Sequence, residues 1–155
     1  MPSGLQVWPV REEDVRKVLY AGDEAFRDHW GHTPMTEEVV RQWIEDPTYD
    51  PSLWKVAWDG DEPAGAVQNF IDQRENELYG RKRGYTEGIW VRRPWRRQGL
   101  ARALLTQSIE MFVGMGMEET CLGVDVQNPS GALRLYESVG YQVDRRDTTY
   151  RKPLT

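Results

Sequence analysis

The stretch from Gly88 to Arg102, Gly-Ile-Trp-Val-Arg-Arg-Pro-Trp-Arg-Arg-Gln-Gly-Leu-Ala-Arg, limits what this chain can fold into. It reads as an apolar strand, a short arginine-rich turn, and a glycine that opens an amphipathic helix. A strand that ends in such a turn leaves several backbone N–H groups of the following helix unpaired and pointing one way. The free donors and the positive end of the helix dipole together attract phosphate. Arg92, Arg93, Arg96, Arg97 and Arg102 crowd the same turn and add positive potential.

The remainder of the composition argues that this basic turn is a local anion site. The formal net charge is −5, whereas nucleic-acid binders usually carry a basic excess over a whole face. Nucleic acid is therefore not expected as a partner. A length of 155 residues suits one domain with a single sizeable core. No apolar run approaches the roughly 20 residues of a membrane span, and the first ten residues do not read as a secretory signal. One cysteine, Cys121, forms no internal disulfide, which fits a reducing, cytoplasmic setting. With His29 and His32 the only histidines, a Cys/His zinc site is not expected, nor any other metal.

Taken in order, Leu5–Val10 alternates as a first strand, with Pro9 marking its edge or end. A helix follows from Glu12, with Val15, Val18, Leu19, Gly22 and Phe26 on one face. Thr36 is placed to cap a second helix, whose apolar side is Val39, Val40, Trp43 and Ile44 and which Pro47 stops. Leu53–Trp58 is strand-like, Asp59-Gly60 signals a hairpin, and the returning arm runs from Ala64 to Ile71. The charged segment from Gln73 to Gly84 reads as a loop or the frayed end of that hairpin, and Tyr85–Val91 as one strand. After Gly99 a helix carries Ala101, Leu104, Leu105, Ile109 and Phe112, and Gly114 and Gly116 end it. Thr120–Val126 is a further strand. Asn128-Pro129 starts a helix with Ala132, Leu135, Tyr136 and Val139 on one face, and Gly140 stands where a C′ glycine belongs. Tyr141–Val143 and Thr148–Tyr150 read as closing strands. The expectation is one domain over residues 1–155, mixed α and β, with a central sheet of about six to seven strands and about four helices.

This order of elements resembles the GCN5-related N-acetyltransferase (GNAT) superfamily over nearly the whole chain. Arg96-Arg97-Gln98-Gly99-Leu100-Ala101 matches that family's pyrophosphate motif, Gln/Arg-x-x-Gly-x-Gly/Ala. Downstream, Asn128 followed by Leu135-Tyr136-Glu137-Ser138-Val139-Gly140-Tyr141 is similar to its second cofactor segment. The resemblance implies acetyl-CoA as acetyl donor, with the backbone from Arg97 to Ala101 around the pyrophosphate and Arg96 and Arg102 beside it. It further implies that the edge of Ile89-Trp90-Val91 pairs with the pantetheine arm, and that Asn128 and Tyr136 touch the cofactor.

Acetyl transfer to an amine requires removal of a proton from the amine, stabilisation of the thioester oxyanion and protonation of the departing thiolate. The resemblance assigns the last role to Tyr136, for which core packing is the competing explanation. Glu87 is the candidate base, on the strand parity it shares with Ile89 and Val91, with Asp125 in reserve. The N–H of Val91 is the candidate oxyanion donor. His29 and Trp30, between the first two helices, are candidate acceptor contacts; Trp54, Trp58 and Tyr79 could wall the same pocket, with the core as the alternative for the tryptophans.

The function these readings imply is acetyl transfer from acetyl-CoA to the primary amine of a small molecule, directly and in a ternary complex. The alternatives are a non-catalytic acyl-CoA sensor and a protein or peptide N-acetyltransferase. Within the superfamily the chain is similar to mycothiol synthase, a tandem two-domain enzyme, so it could be one half of a longer protein. The acceptor, and the choice between monomer and homodimer, stay open.

Overall fold

In a computed structural model of the chain the structure describes residues 1–26, 34–123 and 132–142. It divides into two compact units, Met1–Gly123 and Val124–Thr155. The first contains β1 (Gln6–Val7), α1 (Val15–Ala25), α2 (Glu37–Glu45), β2 (Lys55–Asp59), β3 (Glu62–Val67), α3 (Gln73–Tyr79), β4 (Arg83–Tyr85), β5 (Trp90–Val91), α4 (Leu100–Gly114) and β6 (Glu119–Cys121). The second contributes α5 (Ala132–Ser138).

Strands β1, β2, β3 and β5 form an antiparallel sheet in that order, and β4 pairs with β6 in parallel. The tight β2–β3 hairpin is the one that Asp59-Gly60 predicts, with Asp59 opposite Glu62. On one face of the sheet lies α1, which buries Val15, Val18 and Leu19 against Trp54, Val56, Trp58 and Trp90. Each such aliphatic side chain contributes about 1.5–3 kcal/mol when removed from water. Gly22 lets the helix come down on the Trp90 indole: a Cβ there would lie 2.8 Å from Nε1. On the other face lies α4, through Leu100, Leu104, Leu105 and Phe112; Leu100 approaches Gly65 of β3, and Phe112 approaches Gly84 of β4. Trp54 and Trp58 are therefore core residues, while Tyr79 is exposed. Thr36 caps α2 as expected, its hydroxyl accepting from the Val39 N–H at 3.2 Å.

Two expectations need correction. The segment after Gln73 is a helix. Asp72 caps it through the Glu75 N–H at 3.0 Å, and Gly80, at φ 61°, ends it. Tyr85–Val91 is not one strand. Phe70 and Tyr85 exchange backbone hydrogen bonds, and Gln68 N–H donates to Glu87 C=O at 2.9 Å. Ala66, however, lies opposite Trp90. Two steps along one strand, from 68 to 66, thus match three along the other, from 87 to 90. One extra residue is accommodated at Gly88, whose φ is +57°: a β-bulge.

In the second unit, Tyr136 of α5 is buried and packs edge-on to Tyr141, ring centroids 6.3 Å apart. The readings for Asp125, Asn128, Thr148–Tyr150 and most of the last predicted strands lie outside the described residues, as do those for His29 and Trp30.

Candidate active site

The bulge changes what each residue of the 85–91 stretch presents. Residues opposite one another across a ladder share a face. Glu87 therefore lies on the face of its partner Gln68 and of Trp90, not with Ile89 and Val91 as simple alternation suggests. Glu87 stands where β4 and β6 diverge. Thr86 N–H still reaches Cys121 C=O at 3.0 Å, but two residues further on Gly123 N–H is met by the Glu87 side chain, Oε1 at 2.9 Å. Burial pushes the Glu87 carboxyl above the usual carboxylate range, and the Gly123 N–H opposes part of that rise.

Beyond the bulge, β5 is an edge strand among the described residues. Arg92 N–H donates to Ala64 C=O at 2.9 Å, and Ala66 faces Trp90, so residues 90 and 92 turn their backbones to β3. Alternation then sends the N–H and C=O of Val91 to the open edge. The carbonyl is used there: Arg96 Nε donates to it at 2.8 Å. The N–H of Val91 lies on the same edge. Trp90 has both its backbone and its buried indole committed elsewhere, and Ile89 is a half-buried residue of the bulge.

After a single helical turn at Arg93–Trp95, the chain curls through two left-handed residues, Arg97 at φ 62° and Gly99 at φ 79°. The first hydrogen bond of α4 is Ala103 N–H to Gly99 C=O at 3.1 Å. The N–H groups of Leu100 and Ala101 thus have no partner within the helix. Among the described residues, a Cβ on Gly99 would meet no atom within 4 Å beyond its chain neighbours, so the turn is open on that side. Gln98 is exposed beside them, as is Arg102.

The arginines divide by task. Arg92 is held by Glu62 at 2.8 Å and Glu24 at 3.0 Å, and lies over the Trp95 ring. Arg96 bonds the carbonyls of Val91 and, through its other nitrogen, Ala25 at 3.0 Å. It braces the site from behind. Arg97 is exposed at the turn itself. Two residues were not anticipated from sequence. One is Gln68, which is buried and accepts a hydrogen bond from Trp90 Nε1 at 3.2 Å. The other is Asn69 on the opposite face, whose Nδ2 bonds Leu53 C=O and Ser108 Oγ, both at 2.9 Å. Two adjacent amides in an apolar strand arm are the signal that could have found them.

A strand ladder interrupted at Glu87, a strand edge unpaired among the described residues and a left-handed glycine at a helix start lie within residues 85–101. The model of the acetyltransferase (GNAT) family matches residues 16–141. The chain belongs to that family. It is 28% identical over 150 residues to the mycothiol acetyltransferase of Propionibacterium freudenreichii subsp. shermanii, covering 97% of this chain and 47% of that protein. The chain spans about half the length of the mycothiol acetyltransferases it matches. Among solved structures it superposes on a GCN5-related N-acetyltransferase from Sphaerobacter thermophilus with a TM-score of 0.74 at 29% identity, over 92% of this chain and 42% of that one. It also superposes on a chain of the NatC complex bound to Gag peptide and CoA, with a TM-score of 0.70 at 25% identity, over 92% of this chain and 87% of that one. Within this GNAT chain, no helix among the described residues is long and apolar enough to cross a membrane.

Proposed function

We propose that residues 1–155 form one acetyltransferase domain that transfers acetyl from acetyl-CoA directly to the primary amine of a small molecule. The observation that carries this reading is the open edge of β5, which presents the Val91 N–H and runs straight into the Gly99 helix start. The backbone from Arg97 to Ala101 holds the pyrophosphate, and the β5 edge pairs with pantetheine. Arg96 keeps the edge in place. The acceptor meets His29 and Trp30, and Asn128 adds a cofactor contact.

In the reaction, Glu87 takes the ammonium proton, directly or through water. Its raised proton affinity suits it to this better than an ordinary surface carboxylate. The amine nitrogen attacks the thioester carbon, and negative charge on the carbonyl oxygen is met by the Val91 N–H. Collapse forms the amide and breaks the C–S bond; the Tyr136 hydroxyl protonates the departing thiolate and regains a proton from the attacking nitrogen, which sheds its second proton as it becomes the amide. A peptide N-terminus is the second reading for the acceptor; likeness to a chain of the NatC complex, a complex bound to Gag peptide and CoA, supports it.

Tyr136→Phe tests the assignment. Turnover on an amine panel should fall by about 100-fold, the scale of a general acid, while acetyl-CoA affinity by calorimetry stays unchanged. Unaltered turnover removes Tyr136 from the mechanism.

A further inference from the structure

The bulge at Gly88 is what turns the Val91 N–H to the open edge and puts Glu87 on the opposite side of the strand from Val91. Its shape must be held by something, because a one-residue bulge leaves the local ladder without regular hydrogen bonds. The side chain beneath it is Gln68. A Cβ on Gly88 would lie 2.7 Å from Gln68 Oε1 and 2.9 Å from Gln68 Cβ, so the glycine backbone rests directly on this side chain. Oε1 in turn accepts the Trp90 indole N–H at 3.2 Å on the far side of the bulge. Gln68 N–H holds the near side through Glu87 C=O. One residue therefore grips both flanks, before and after the inserted residue. The indole can only donate, so it fixes which way the amide faces. Nε2 is left buried and without a hydrogen-bond partner among the described residues. Accepting an unmatched amide nitrogen in a buried site is costly; an apolar side chain of similar size would avoid that cost while giving up the grip.

We infer that Gln68 is a positioning residue for acyl transfer, its amide clamping the Gly88 bulge so that the β5 edge receives the pantetheine and thioester half of acetyl-CoA. The inference rests on the acetyltransferase reading above. It makes Gln68 matter for one part of the ligand only. The phosphates meet the Gly99 turn, which Gln68 does not touch, so the nucleotide end of the ligand should not sense its loss.

Calorimetry with acetyl-CoA and, separately, with adenosine 3′,5′-bisphosphate tests this on the full chain. Gln68→Leu keeps the volume and removes the acceptor. It should weaken acetyl-CoA about five- to tenfold, the scale of one hydrogen bond, and leave the bisphosphate affinity as in the wild type. Trp90→Phe removes the same bond from its other end and should do likewise. The double variant should then be no weaker than the worse single one. Unchanged acetyl-CoA affinity in both single variants overturns the inference, as does equal loss of both ligands or multiplication of the two effects in the double variant. A wild-type chain that binds neither ligand overturns the acetyltransferase reading itself, and the inference with it.

Discussion

The two ends of the stretch from Tyr85 to Ala101 are built by different means. At the far end, the Gly99 turn is a matter of backbone: two left-handed residues, a helix start and open space. Its arginines give an impression of chemistry that the geometry redistributes, since Arg92 is tied up by Glu24 and Glu62, and Arg96 by two carbonyls. At the near end, the bulge is a matter of side chains: Gln68 beneath Gly88, the Trp90 indole on Gln68, and Glu87 on the Gly123 N–H. A backbone site tolerates many side chains and forbids one kind of change. A side-chain site can be altered by a single atom.

The sharpest break should come at Gly99. Gly99→Glu places a carboxylate at the proposed phosphate site and forces a side chain into a left-handed conformation. Acetyl-CoA binding by calorimetry should be lost, and retained affinity would overturn the phosphate assignment. Gly99→Ala separates the two causes. With no atom of the described residues near the added Cβ beyond its chain neighbours, its effect on folding should be limited to the conformational term of about 1–2 kcal/mol in thermal unfolding.

Next in size is Glu87→Gln, which should reduce turnover by about 100-fold or more with little change in acetyl-CoA affinity. Stability should move the other way. Because the folded-state carboxyl is raised above its unfolded value, its ionisation weakens the fold as pH rises through the folded pKa. The Gln variant should therefore melt higher than the wild type at neutral pH, and this advantage should vanish below the pH at which the unfolded carboxyl protonates. The wild type's rise of kcat/KM with pH should begin above the ordinary carboxylate range, and the Gln variant should lack that limb. A wild-type profile flat through acid pH would contradict the assignment of the base.

The smallest effect should be at Arg97. Its φ of 62° is one that L side chains seldom adopt, so Arg97→Gly should raise thermal stability slightly, by up to about 1 kcal/mol. Acetyl-CoA affinity should drop no more than severalfold. A loss as large as that at Gly99 would mean that the turn works through side-chain charge after all, and would erase the contrast between the two ends.

Much of this was readable in advance, for definite reasons. The α1 face, the Thr36 cap and the hairpin at Asp59-Gly60 follow from local patterns that the tertiary structure reinforces. The helix at Gln73–Tyr79 was hidden because it buries almost nothing: Leu78 and Tyr79 are exposed, so no apolar stripe announces it. Its cap, Asp72 with Glu75 three residues on, and its terminating Gly80 were there to be read. The bulge was missed because period-two alternation assumes an unbroken ladder. Gly88 was the only local sign, and the register that reveals the extra residue lies on another strand. The partner of Gln68 is likewise 22 residues away, beyond any local pattern. The role of Arg96 could not be told from that of its neighbours, since carbonyls that accept its bonds leave no mark in the sequence.

Arg96 has one more consequence. Its guanidinium joins Val91, on the strand edge, to Ala25, the last residue of α1. The chain beyond Ala25 leads to His29 and Trp30, the stretch read as meeting the amine. A single side chain thus ties the strand edge to the end of α1, so the two keep one common reference that the backbone alone does not supply.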